Sequence, residues 1–155
     1  MNEIFRQHID SLEPSFQRLI QMVPVTVETL PMDTPMSGIY LFTESQKHLY
    51  VGRTNTIRKR LQNHCRPSSG HNSATFAFRL ARQITGQIIA TYKEQGSRSA
   101  LENDPQFSPV FIEQKTRVKN MHVRYVSESD PMKQALLEMY VSISLATPHN
   151  NFDNH

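Results

Sequence analysis

The sequence predicts an α/β fold of the segregated, α+β kind: a small three-stranded antiparallel sheet flanked by helices. Three observations carry this. Two runs rich in β-branched and aromatic residues, 36–43 and 47–53, are separated by the polar residues Glu44, Ser45 and Gln46, which is the pattern of a hairpin. A third alternating run, 121–126, follows much later in the chain. Before, between and after these runs the apolar residues recur three and four apart, the spacing of helices.

Residues 2–22 carry two apolar stripes, Phe5, Ile9 and Leu12, then Phe16, Leu19 and Ile20. Pro14 separates them into two short helices, because proline breaks a helix interior. The β-like stretch 23–30 runs into Pro31 and Pro35 and reads as a connector or edge strand. After the hairpin, Thr54 or Asn55 can cap a helix over about 56–65. Ile57 and Leu61 share one face of it, and Arg60 and His64 another.

Residues 66–73 form a loop. Ser73 caps a helix over 74–85 whose buried stripe is Phe76, Ala77, Leu80, Ala81 and Ile84. Gly86 interrupts, and 87–93 is helical again. Ser99 and Glu102 have capping-box spacing. Ser108-Pro109 starts a helix to about 119, and Asp130-Pro131 starts the last one, to about 146. Phe152 packs back from the tail. No repeats or low-complexity segments occur.

A chain of 155 residues suits one domain with a core of its own. Within it, 1–35 is a helical extension and connector, 36–65 the hairpin and its helix, 66–119 a helical insertion, and 120–155 the third strand, last helix and tail. No apolar run approaches the roughly 18–20 residues that cross a bilayer. The charged N-terminus has no signal-peptide pattern. Cys65 is the single cysteine, no Cys/His cluster has zinc spacing, and a reducing cytoplasm is the expected compartment.

Charge is unevenly placed. No Asp or Glu lies between Glu44 and Glu94, an interval with nine Lys/Arg. The remaining eight Lys/Arg face all fourteen Asp/Glu, a net of −6. One cationic segment on an anionic body suits a polyanionic partner. The bland reading is a solvated basic face.

The densest pattern lies at 37–64. Gly38-Ile39-Tyr40 lies in the first strand run, Tyr50-Val51-Gly52 lies in the second, and ten residues separate Tyr40 from Tyr50 and Tyr50 from Arg60. Arg53 follows Tyr50 by three, Thr54 and Asn55 come next, and His64 follows Arg60 by four. Taken alone, Tyr40 and Tyr50 are half-buried strand aromatics and Arg60 is an exposed helix charge. Together, at these separations, they resemble the GIY-YIG nuclease family.

The resemblance implies hydrolysis of phosphodiester bonds in DNA, in double-stranded form, with one Mg²⁺ or Mn²⁺ ion per site. It implies that Tyr40 activates the attacking water, with Tyr50 positioning it or sharing that duty. It also implies that Arg60 grips the phosphate with a planar fork that keeps its charge. His64 would orient a tyrosine, relay a proton or contact phosphate. From 134 to 148, Glu138 is the only Asp, Glu, Lys, Arg or His. By residue type it is a solvent-facing carboxylate; by resemblance it is the metal ligand. An asparagine is expected shortly after it. The residue three after Pro148 is Asn151, the site residue by that count, whereas twelve after Glu138 falls on Asn150.

Arg53, Arg58, Lys59, Arg66, Arg79 and Arg82 are the candidate nucleic-acid contacts, and Lys93 is a further basic residue of the insertion. A restriction-like or mobile-element enzyme with one site per chain cuts both strands as a homodimer or by two successive nicks. The competing reading is a binding module without catalysis, using the basic 45–93 stretch. An RNA substrate stays open.

Overall fold

The computed structural model describes residues 1–87 and 97–153. Most of the helix expected over 87–93, with Lys93, lies outside them. The elements run α1 (Glu3–Asp10), α2 (Glu13–Gln21), β1 (Gly38–Glu44), β2 (Lys47–Thr54), α3 (Ile57–Cys65), α4 (Thr75–Thr85), α5 (Arg98–Glu102), α6 (Phe107–Lys119), β3 (His122–Ser127) and α7 (Pro131–Leu145). No described helix is long and apolar enough to cross a membrane. The chain divides into two compact units, Met1–Lys59 with Met121–His155, and Arg60–Asn120.

The first unit is built on a three-stranded antiparallel sheet in the order β2-β1-β3. β1 is central and buried almost throughout, as its apolar run GIYLF requires. Side chains alternate across it. Ile39 and Leu41 point to one face, where they join Val51, Val126, Leu12, Phe16 and Leu19 of the N-terminal region, and Leu137 and Val141 of α7. Tyr40 and Phe42 point to the other face and are also buried.

Glycines permit two close approaches. At Gly38, φ is +154°, and an added Cβ would lie 1.9 Å from the carbonyl oxygen of Val126 on β3. At Gly52, an added Cβ would lie 2.3 Å from both Cζ and the hydroxyl oxygen of Tyr40, whose ring crosses the bare backbone of β2. Ser45 and Gln46 both have positive φ, 49° and 64°, so the hairpin closes on two left-handed residues. The register shifts between Phe42 and Thr43, close to that turn.

Both sheet edges are covered. Val25 makes an isolated antiparallel bridge to Val123 of β3, with bonds of 3.0 and 2.7 Å. On the other side, the Asn150 side chain stands in for a missing strand. Its Oδ1 accepts from Val51 N (2.9 Å) and its Nδ2 donates to Val51 O (2.7 Å). His149 N donates to Leu49 O two residues along (3.1 Å). Such covering removes unpaired edge groups that would otherwise pair with another chain.

Local chemistry moved several helix ends. The break between α1 and α2 falls at Ser11, and Pro14 sits in the first turn of α2, where its missing N–H costs nothing. Asp130 caps α7 by accepting from Lys133 N at 2.9 Å. Phe152 does not pack back; it is 53% exposed.

The second unit is helical, and α4 packs on α6. Phe78 is buried as well as Phe76, Ala77, Leu80 and Ala81, and its ring lies 5.1 Å from Phe107 and 5.3 Å from Phe111. Ile84, expected in the stripe, is 58% exposed in the last turn. Ser73 does not cap α4, whose N-cap is Ala74 with no side-chain bond. Ser97, not Ser99, caps α5 by accepting from Ala100 N. Asp104 accepts from Gln106 N and Phe107 N and so starts α6 one residue earlier than Ser108.

The loop before α4 is tied down twice. Buried Lys115 donates to the carbonyls of Pro67 (2.6 Å) and Ser69 (2.9 Å) and stands 4.4 Å over the Phe111 ring. Glu102 accepts from His71 N at 2.9 Å and pairs with His71 Nδ1 at 2.5 Å. His64 is fully buried, and burial, with the charge of Arg60 adding to it, holds its pKa well below the usual histidine value. Burial thus favours its neutral form.

Gly52→Ala forces Tyr40, which is 1% exposed, out of its position. Urea unfolding should show a loss of about 1–3 kcal/mol, in the range of overpacked cores. His64 gives a pH dependence. Its native pKa lies below its unfolded value, so its contribution is complete above about pH 6.5 and is lost as pH falls further. Between about pH 6.5 and 5.5 stability should drop by up to ~1.4 kcal/mol for this one proton, and His64→Leu should remove that slope in urea melts at the two pH values.

Candidate functional site

β2 is an edge strand, and it carries Tyr50, Gly52 and Arg53 in sequence. Pleat parity sends their side chains to different faces. Arg53 lies opposite Ile39 and shares the face of Val51, on which α7 packs. There its Nε donates to Glu138 Oε2 at 3.0 Å. Tyr50 shares the other face with Tyr40, ring centroids 6.4 Å apart.

Glu138 sits mid-way along α7, and its side chain keeps 20% of its exposure, against 48% for Arg53. Burial raises its pKa; the charge of Arg53 and the hydrogen bond from it pull the other way without cancelling the shift. The carboxylate is therefore under-compensated. One Arg53 nitrogen holds Oε2, and Oε1 stands outside that bond. Among the described residues no group of three or more His, Cys, Asp and Glu could hold a metal ion. A cation held by Glu138 would take further ligands from water and a bound anion. That donor set fits a hard divalent ion that keeps most of its waters, such as Mg²⁺.

The two tyrosines differ. Tyr40 is buried over Gly52, whereas Tyr50 is partly exposed. The two asparagines differ more. Asn150 is locked to Val51 and also accepts from Thr147 Oγ1 at 2.8 Å, and that hydroxyl lies 2.9 Å from Ser142 on α7. Asn151 is exposed, and its side chain accepts from Asp153 N. The count of twelve from Glu138 thus lands on the asparagine tied to β2. The signal that could have found it is the Ser142, Thr147 and Asn150 hydroxyl–amide series, which needs the chain to turn at Ala146 (φ 50°).

The basic residues divide as well. Arg58 Nη2 donates to the Pro31 carbonyl and to Thr34 Oγ1, which ties this side chain to the connector. Lys59 and Arg66 are exposed. Gln134, buried on α7, donates to Asn55 Oδ1 (3.2 Å) and to Glu128 O (2.7 Å), seating the turn after β2.

In the helical unit, Arg60 donates from Nη1 to Ser73 O (3.1 Å) and from Nη2 to Thr75 Oγ1 (3.0 Å). Arg79 and Arg82 lie one turn apart on α4, and Arg82 Nε donates to Gln87 O at 2.7 Å. Burial lowers the pKa of Arg82, and the nearby charges of Arg98 and Arg79 lower it further. Arg98 extends this cationic cluster from α5. Its signal in the sequence was weak because it lies beyond Glu94.

The GIY-YIG catalytic domain matches residues 36–141, which takes in the hairpin, Arg60, His64 and Glu138. No curated protein and no solved structure matches the chain. With that match over most of its length and the three-stranded sheet beneath it, the chain belongs to the GIY-YIG family, whose members are nucleases acting on DNA.

Proposed function

We propose that this chain is a metal-dependent endonuclease that hydrolyses phosphodiester bonds in double-stranded DNA, of the restriction-like or mobile-element kind, acting in the cytoplasm. The observation that carries the reading is the seat of Glu138: a partly buried carboxylate with a raised pKa, held through one oxygen by Arg53. Burying a charge this far is costly, and a single hydrogen bond from Arg53 leaves the cost incompletely offset. A ligand cation completes it.

One Mg²⁺ or Mn²⁺ ion bound through Glu138 supplies Lewis-acid stabilisation of the phosphate and neutralises developing charge. The chain's own residues do the rest. Arg60 presents its fork to the phosphate oxygens. Tyr50 is the phenol open to the attacking water and is assigned its orientation. Tyr40, closed off over Gly52, is a positioning residue for β2, and the activating role expected for it passes to Tyr50. A free phenol has a pKa of about 10, so the base must work beside positive charge. His64 is neutral and buried and acts as a positioning group. Asn150, rather than Asn151, is assigned the site asparagine, holding the end of α7 against the strand that bears Tyr50 and Arg53. Lys59, Arg66, Arg79 and Arg82 are assigned to backbone phosphates. One site per chain leads to cleavage of both strands by a homodimer or by successive nicks.

A supercoiled-plasmid assay with Mg²⁺, Mn²⁺ and an EDTA control tests this. Wild type should nick or linearise DNA only with the ion. Glu138→Gln should lose at least ~10³-fold in rate while DNA affinity stays within about threefold, the pattern of a group that acts in the transition state. Arg60→Lys should lose about 10–100-fold or more, because an ammonium does not reproduce the fork. A fully active Glu138→Gln protein overturns the metal assignment. Retained binding with no cleavage by wild type replaces the reading with that of a binding module.

A further inference from the structure

We propose that Thr75 is a positioning residue for Arg60, and that the braced loop and helix start around it exist to orient that guanidinium. The inference rests on the reading of Arg60 as the phosphate-gripping group and adds what holds it.

An arginine side chain carries about 2 kcal/mol of rotamer entropy, and a phosphate contact that must first collect it is a poor one. Here Arg60 is already collected. Its two terminal nitrogens donate to two different acceptors, Nη1 to Ser73 O at 3.1 Å and Nη2 to Thr75 Oγ1 at 3.0 Å. Two bonds from two nitrogens set both the plane and the roll of the group. They use two of its five N–H donors and leave Nε–H and two others for a ligand.

The acceptors do not depend on Arg60 for their own place. Thr75 is the first residue of α4, and the N-cap before it, Ala74, makes no side-chain bond. Gly70 O accepts from both Ser73 N (3.1 Å) and Ala74 N (2.9 Å), closing the turn that leads into the helix. Upstream, Lys115 holds the carbonyls of Pro67 and Ser69, and Glu102 holds His71. Gly70 is seated so closely that an added Cβ would lie 2.6 Å from Glu102 Oε1. The support runs from α5 and α6, through the loop, to Ser73 and Thr75, and then to Arg60. This gives the helical unit a task in the reaction that its basic residues alone do not define.

The test compares Thr75→Val, which keeps the shape and removes the acceptor, with Thr75→Ser, which keeps the hydroxyl, each in wild-type and Arg60→Ala backgrounds. In the plasmid assay at saturating DNA, Thr75→Val should slow cleavage about 10–100-fold, with affinity changed less than about threefold, and Thr75→Ser should stay within about threefold of wild type. In the Arg60→Ala background Thr75→Val should cost nothing further. An equal loss in both backgrounds, or no loss in either, overturns the proposal. A second readout needs no activity. With ¹⁵N-arginine labelling, the Nη resonances of Arg60 should be resolved by hindered rotation in wild type and Thr75→Ser, and averaged in Thr75→Val. Averaged signals in wild type overturn the proposal. Resolved signals that collapse in Thr75→Val, in a protein that does not cut DNA, sustain the positioning role and reject the nuclease reading instead. Thr75→Ala takes the place of Thr75→Val if thermal melting shows the latter unfolded.

Discussion

The contact on which the sheet depends is the ring of Tyr40 lying across the backbone of Gly52. An added Cβ at Gly52 would sit 2.3 Å from the phenol, so the neighbouring strand has to be bare at that one residue. The pair is also a register lock, because Tyr40 and Gly52 are direct partners in the ladder. A slip by one residue would put Val51 or Arg53 beneath the ring and turn every side chain of β2 to the wrong face. Gly38 performs the complementary duty on the β3 side, where only a residue without Cβ fits against Val126 O. Two glycines and one tyrosine thus fix the central strand against both neighbours.

The polar chemistry follows from that register. With Gly52 beneath Tyr40, Tyr50 must share the Tyr40 face, and Arg53 must share the α7 face. Arg53 therefore meets Glu138, and the carboxylate is held before any ligand arrives. Asn150 closes the outer edge of the same strand through both polar groups of Val51. β2 is held by α7 on its face, by 149–150 at its edge and by β1 along its length, and this is the strand that carries Tyr50 and Arg53. Rigid support of that kind is what precise chemistry needs.

Much of this was legible in the sequence, for definable reasons. The hairpin, the third strand and the last helix are strongly periodic, and the Tyr40, Tyr50, Arg60 and His64 spacing is compact enough to recognise. What stayed hidden depended on tertiary contacts. Arg58 looks like a free cation until the Pro31 carbonyl is seen beside it. His64, four after Arg60, looks like a group that could reach a phosphate, yet it is fully buried. Ser73 looks like a cap, but it is its carbonyl that serves, as an acceptor for Arg60. Asn150 and Asn151 are chemically the same in sequence; the left-handed turn at Ala146 decides which one reaches Val51. In each case residue type named the chemistry available, and the fold chose its partner.

The charge at Glu138 is only partly offset within the protein. Arg53 satisfies one oxygen, burial still opposes ionisation, and among the described residues no cluster of further ligands surrounds it. The most direct measurement is anomalous scattering from crystals of the protein soaked with Mn²⁺ together with a short DNA duplex. One peak within about 2.2 Å of a Glu138 carboxylate oxygen, with a DNA phosphate oxygen as a second ligand, is the predicted result. Ordered DNA with no peak at Glu138, or with the ion held by other residues, would contradict it.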